Sequence, residues 1–340
     1  MPGSTPASAM PDEAATGGVV PVPAADALSG PAPGPGVPRA VGRFLRRRPL
    51  GALGVAVALA MLAASLGPPE PRFGLPDLPD RPLGFQMGRP FLARYGPEDF
   101  FRDDSGRLAR FQPPSGRHWL GTDDKGRDVW ARLVWGTRRS LFFALWALVL
   151  ATVGGTAVGL ASAYFLGWVD MLVQRLMDGL QSFPPLLVLM LVVTLTEPSL
   201  RVLAFALAVV ALPSVQRVVR SVVLAVREEP YVLAARALGA SHLRTMLRHV
   251  LPNVMAPVLT VFSVGLGSAV LAEAAISFVD PSTVPQSASW GIMLAEGRAY
   301  MFEHPHVVLA AGGAIAGAVL AFNLAGDALR DVLDPRLRVL

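Results

Sequence analysis

Several groups of residues in this 340-residue sequence have types and spacings that could do chemistry. GTDDKGRD (Gly121 to Asp128) comes close to a phosphate loop. Gly121 and Gly126 are correctly spaced, but Arg127 and Asp128 stand where the lysine and the hydroxyl belong. Asp123, Asp124 and Asp128 supply carboxylates without the glycine and distal glutamate of a calcium loop. The stretch therefore reads as a capped amphipathic element leading into a helix. His304 and His306 flank Pro305 but have no third ligand nearby, so they read as a solvated turn and not a metal site. Glu273 lies inside an apolar run, where an ionisable side chain is a candidate for a translocation path or a partner contact. Arg175 and Asp178 are three apart and read as an ion pair on one helix face; Asp327, Arg330 and Asp331 read the same way. No cluster of nucleophile, base or metal ligands suggests an enzyme.

The most informative stretch is YVLAARALGASHLRTMLRHVLPN (Tyr231 to Asn253). Glu228, Glu229 and Pro230 favour a helix start at Tyr231. Gly239 can end that helix in a left-handed conformation. Ser241 can cap a second short helix reaching about Val250, and Pro252 opens the next long apolar run. Ala234, Ala235, Ala237, Gly239 and Ala240 leave the first helix with little bulk, which lets another backbone approach closely. A helix lying bare in a membrane interface shows Leu, Phe or Trp on one face instead. The stretch reads as a docking helix for a separate protein.

The elements that position these residues follow from composition. The chain is 52% hydrophobic and 16% charged, with a mean hydropathy of +0.47. A soluble domain carries about 25% charged residues, so the solvent here is a bilayer. Net charge is +5, without the interleaved arginines and aromatics of a nucleic-acid groove. Cysteine is absent, which removes disulfides, thiolate chemistry and Cys-based zinc sites. Residues 1–38 are Pro/Gly/Ala-rich and read as a disordered tail. Six apolar runs follow: Pro49 to Gly67, Leu141 to Leu166, Met171 to Thr196, Leu200 to about Arg217 with a kink at Pro213, Val254 to Val279, and His306 to Ala325. If the N-terminus is cytoplasmic, the inside segments hold fifteen arginines, whereas the two short outside loops hold only Arg201 and Arg298. Both termini and the 218–253 loop are then cytoplasmic. The long segment from 68 is external, since long loops cross largely regardless of charge. The expected organisation is a tail (1–38), a basic flank and first span (39–67), an external segment (68–136), a five-helix core (137–326) and a cytoplasmic tail (327–340).

These features resemble the membrane subunits of bacterial ATP-binding-cassette importers, which carry Glu-Ala-Ala, three residues, Gly, nine residues, then Ile-x-Leu-Pro. Ala234, Ala235, Gly239, Leu251 and Pro252 match at that spacing, while Leu233 replaces the glutamate and His249 the isoleucine. GTDDKGRDVWARLVWGTRRSL (Gly121 to Leu141), SWGIMLAEGRAY (Ser289 to Tyr300) and LAFNLAGDALRDVLDPRLR (Leu320 to Arg338) resemble the second permease type of dipeptide, oligopeptide and nickel importers. The resemblance implies an all-α type I importer permease fold and a bacterial inner-membrane subunit. It also implies a homologous permease partner, two ATPase subunits and an external substrate-binding protein. ATP hydrolysis then resides in the partner chains and no cofactor in this one. Leu233, Ala234, Ala235, Arg236, Gly239, Ala240, Ser241, His249, Leu251 and Pro252 would dock the ATPase, and Glu273 would belong to the translocation path. The rival is a secondary transporter driven by an ion gradient, which calls for internal repeats, broken helices and several midplane charges.

Overall fold

The computed structural model describes residues 49–67, 89–196, 199–283 and 288–333. The expectations for residues 1–48, 68–88 and 334–340 lie outside the described residues. Ten α-helices are described, with no sheet among the described residues. They are α1 (Pro49–Ser65), α2 (Val129–Phe165), α3 (Gly167–Gln181), α4 (Pro185–Leu195), α5 (Leu200–Val226), α6 (Pro230–Ala237), α7 (His242–Thr245), α8 (Leu251–Val279), α9 (Trp290–Gly297) and α10 (Pro305–Leu333).

Four helical stretches are long and apolar enough to cross a membrane: α2, α5, the run His242–Val279 that contains α8, and α10. The expected third span is not one helix. It breaks into α3 and α4, bent by 81°. The cause is local: Pro184 holds φ −57° and ψ 129°, and Pro185 follows at the first position of α4. A residue before proline is pushed out of helical geometry, and neither proline can donate to the turn before it. Helix α1 has 17 residues and so rises about 26 Å, short of a hydrocarbon core of about 30 Å. Pro213 lies within α5 without ending it, and the helix continues past Arg217 to Val226.

Small residues set how closely the helices pack. A Cβ on Gly155 would lie 2.7 Å from Val215 Cβ, and one on Gly159 2.8 Å from Gln216 O, so α2 and α5 touch backbone to backbone. Gly51 and Gly54 do the same for α1 against α10. One buried cluster joins α2, α4, α5, α8, α9 and α10, with Leu189, Leu203, Val270, Ile276, Trp290 and Met293 at its centre. A second joins α2, α5, α6 and α8 through Tyr164, Val219, Val223, Val232, Val250 and Val254.

Helix α2 determines which ends lie apart. Its 37 residues rise about 55 Å. Its first turn is capped by Asp128 within the 89–128 segment, where Asp128 Oδ1 accepts from Ala131 N at 2.7 Å. At its last turn, Tyr164 Oη lies 3.2 Å from His242 Nδ1 of α7. Beyond it the chain reverses through Leu166 and Gly167, both with positive φ (57° and 60°). Arg227 Nη1 donates to the carbonyls of Ala163 and Tyr164, each at 3.0 Å, satisfying helix-end acceptors that have no turn above them.

Candidate functional site

The Tyr231–Asn253 stretch folds as its residues dictate. Pro230 opens α6 and Gly239 follows its end with φ 84°. A Cβ there would meet nothing within 4 Å, so the backbone angle, not crowding within the chain, is what calls for glycine. Ser241 caps α7 by accepting from Arg244 N. Residues Met246–Val250 then widen into a π turn, in which Leu251 N bonds to Met246 O. Pro252 explains the widening: it has no N–H for the carbonyl four residues back, and its ring would strike that carbonyl. Asn253 Nδ2 donates to His249 O at 2.8 Å and satisfies an acceptor there. The short helices thus run into α8, and His242–Val279 is one stretch of 38 residues.

One side of this loop is anchored and the other is open. Val232 and Val250 are fully buried in the second core cluster; Thr245 is also fully buried, and its hydroxyl donates to Ser241 O at 3.1 Å. Leu233, Leu238, Leu243 and Leu247 point outward, with Leu238 89% exposed. Ala234, Arg236, Ser241 and Pro252 are also exposed, and Ala235, Ala240, His249 and Leu251 are half-buried. Exposed small residues, Ala234, Ala237 and Gly239, thus stand among four projecting leucines. Leu233, which stands at the motif's glutamate position, adds to the apolar side and offers no charge.

The opposite end is built differently. Arg132 Nη1 lies 2.7 Å from Asp123 Oδ2 and 2.8 Å from Glu296 Oε2. Arg127 reaches Asp123 at 2.8 Å, Glu296 at 2.7 Å and Glu98 at 3.1 Å, and Lys125 Nζ lies 2.8 Å from Glu296. Burial raises the Glu296 carboxyl, but Arg132, the Lys125 hydrogen bond and Arg127 outweigh it and hold the group at about 2. Burial with Asp123 and Glu296 raises Asp124. Burial lowers the Arg127 guanidinium, but Asp123, Glu296 and Glu98 outweigh it and raise it. Asp123, Asp124 and Glu296 have oxygens within 4.8 Å of one another, yet Arg132 bridges two of them, so cations of the chain itself already fill the cluster. The segment is further tied down by Trp130 Nε1 to Leu92 O at 2.9 Å and Trp135 Nε1 to Tyr95 O at 3.2 Å. His304 and His306 are not a solvated turn. His304 stacks on Phe111 at 4.0 Å and 8°, and His306 Nε2 lies 3.1 Å from Thr122 O, so both fasten the start of α10 to this cap.

Glu273 lies between these regions, on α8, and is completely buried. Ser140 of α2 donates to it at 2.7 Å and Ser277 at 3.1 Å. Its carboxylate thus joins α2 to α8. The expected Arg175–Asp178 pair also changes: Asp178 meets Arg217 of α5 at 2.8 Å. Asp170, which the sequence reading passed over, is gripped by Arg220 at 2.8 and 2.6 Å. Both pairs bind α3 to α5. Spacing within one helix could not show either of them.

The sequence reading also missed a short repeat, DDSGR (Asp103 to Arg107) and DDKGR (Asp123 to Arg127). The two turns share the same bonds from backbone N–H groups to the first aspartate. The aspartate Oδ1 accepts from the residue two on (Ser105 at 3.0 Å, Lys125 at 2.9 Å) and from the arginine N–H (both 2.9 Å). Gly106 and Gly126 have φ 78° and 75°.

Comparison with known proteins agrees with this architecture. Residues 155–339, which contain the whole Tyr231–Asn253 stretch and Glu273, match the family described as "Binding-protein-dependent transport system inner membrane component". The dipeptide transport system permease protein DppC of Alkalihalophilus pseudofirmus is 40% identical over 229 residues, covering 67% of this chain and 75% of that protein. A putative peptide transport system permease protein of Brucella suis is 43% identical over 230 residues, with 68% and 77% covered. The glutathione transport system permease protein GsiD of Pectobacterium atrosepticum is 36% identical over 248 residues, with 73% and 81% covered. By the extent of these matches, this chain belongs to the family of inner-membrane components of binding-protein-dependent transport systems.

Proposed function

We propose that this chain is one permease subunit of an ATP-driven importer of peptides. The peptide assignment rests on relatives named for dipeptide, peptide and glutathione transport. The observation that carries the mechanism is the open face of the Tyr231–Asn253 loop. Four leucines project among small residues, and the loop is rooted by Val232 and Val250 and continuous with α8. An exposed apolar patch on a rigid base is the signature of a protein contact. The contact is an ATPase subunit on the cytoplasmic side, engaged through Leu233, Ala234, Ala235, Arg236, Gly239, Ala240, Ser241, His249, Leu251 and Pro252. When two ATPases close on ATP, the loop moves with them and α8 carries the motion toward the cap. A homologous permease completes the passage, and an external binding protein delivers substrate. The ATPases favour one conformation because they bind it more tightly than the other. Glu273 acts on the path indirectly, by holding α2 to α8. Both termini are cytoplasmic, α1 and the α3–α4 pair complete six crossings, and the cap is external.

The test is Gly239→Asp together with Ala235→Trp, measured in the assembled transporter. Positive φ at Gly239 gives a β-carbon a penalty of about 1 kcal/mol, and bulk at Ala235 separates the surfaces. Membrane level should hold while uptake is lost and ATPase subunits dissociate or hydrolyse uncoupled. Wild-type uptake and ATPase retention in both variants would reduce the stretch to a linker. A reporter after Leu340 should be cytoplasmic and one near Gly106 external.

A further inference from the structure

The twin turns stand in different surroundings, and one shows what the other is suited to hold. In the 123–127 turn the arginine side chain is buried, and its guanidinium takes carboxylates from Glu98 and, across the fold, from Glu296 of α9. In the 103–107 turn Arg107 holds the same place on the same backbone, with its N–H bound to Asp103 Oδ1 at 2.9 Å. Its side chain is exposed, and among the described residues it makes no hydrogen bond or ion pair. Three nearby acidic groups are already engaged: Asp103 accepts from Ser105 and Arg107, Asp99 from Gly96 N at 2.6 Å, and Glu98 pairs with Arg127; Asp104 is exposed in the same turn. Arg102, Arg110 and Arg117 are exposed on the same segment. Its outer surface is therefore more basic than its composition, because Asp123 and Asp128 are buried and Asp103 and Asp124 half-buried, while Glu98, Asp99 and Asp104 stay exposed.

We infer that the 103–107 turn is a docking knob that receives a carboxylate from an external protein, as the 123–127 turn receives Glu296. The occupant is an acidic face of the soluble substrate-binding protein, and this identification rests on the proposed function. A guanidinium fork on an ordered turn suits a fixed carboxylate held in two hydrogen bonds. A lipid headgroup layer is met instead by clusters of basic side chains beside a span.

The experiment uses the complete transporter in nanodiscs of zwitterionic lipid and its purified substrate-binding protein, loaded with dipeptide. Arg107→Glu with Arg110→Glu should weaken binding roughly tenfold or more, with the loss greatest at low salt. Neither arginine side chain makes a hydrogen bond or ion pair among the described residues, so membrane level and ATPase retention should be unchanged. Asp103→Ala keeps the arginines but unties the turn, and should weaken binding in the same direction. Unchanged binding in the double reversal overturns the inference. So does a double reversal that loses affinity only for vesicles containing phosphatidylglycerol. A wild-type complex that retains its ATPases but ignores the binding protein overturns the inference and leaves the docking-loop reading standing. A complex that retains no ATPase overturns both.

Discussion

The two polar ends of the bundle solve opposite problems. At the cap, the buried Asp123, Arg127 and Arg132 all meet opposite charges from their own chain, and Glu296 draws α9 into the network. At the Gly239 end the loop buries only what roots it, Val232, Thr245 and Val250, and leaves Leu238 and Leu243 in the open. The cap is closed because the chain supplies both members of each pair. The loop is open, as the proposed contact with an ATPase requires. Charge satisfied within a chain gives rigidity; apolar surface left uncovered gives assembly. A transport subunit needs both, so that motion entering at one end moves the other end as a body.

Breaking the cap should have the largest effect on stability. Arg132→Leu removes one of the two arginines that bridge Asp123 and Glu296 and leaves Arg127 to hold both. Removing one partner of a buried pair costs about 3–5 kcal/mol. Amide hydrogen exchange over residues 89–128 should rise sharply, while exchange over 230–250 stays as in wild type. Equal loosening of both regions would show that they are not independent.

Acid should open the cap in the same way. Glu296 is held at about 2, against an ordinary value of 4.5. A depressed carboxyl contributes stability that is fully present above pH 4.5 and disappears as pH falls toward 2. The contribution is roughly 3 kcal/mol. Fluorescence of the cap tryptophans Trp119 and Trp130 should report the transition, and Glu296→Gln should remove most of its pH dependence.

At the other end, Gly239→Ala should cost about 1 kcal/mol, because the strain is in φ alone and the added carbon has open space. Thermal unfolding should shift little, while affinity for the ATPase falls. A stability loss several times larger would mean that the turn is packed in a way this structure does not show.

The smallest stability effect sharpens the contrast most. Leu238→Ser with Leu243→Ser should change unfolding by no more than about 0.5 kcal/mol, as surface substitutions do. Co-purification of the ATPase should nevertheless fail. If stability fell and assembly survived, the leucines would belong to the fold and the contrast between the two ends would collapse.

The local sequence of residues 230–253 already contained the short helices of this loop. Pro230, Gly239, Ser241 and Pro252 act through their own backbone angles and missing or added donors, and these effects reach only a few residues. The apolar runs likewise announced a membrane, because hydropathy is a sum over consecutive residues. Tertiary structure alone decided the rest. Arg132 and Glu296 are far apart in the chain, and nothing in either neighbourhood selects the other; α9 brings them together. Asp178 could have met Arg175 one turn away, yet Arg217 from α5 stands at 2.8 Å. Glu273 read from sequence as a candidate for a path or a partner contact, and only the fold shows serines from two helices donating to it. The repeated DDxGR turns state the distinction most plainly. Five residues fix the same backbone bonds to the first aspartate twice, but which arginine is buried depends on what packs against it, and packing is a property of the whole chain.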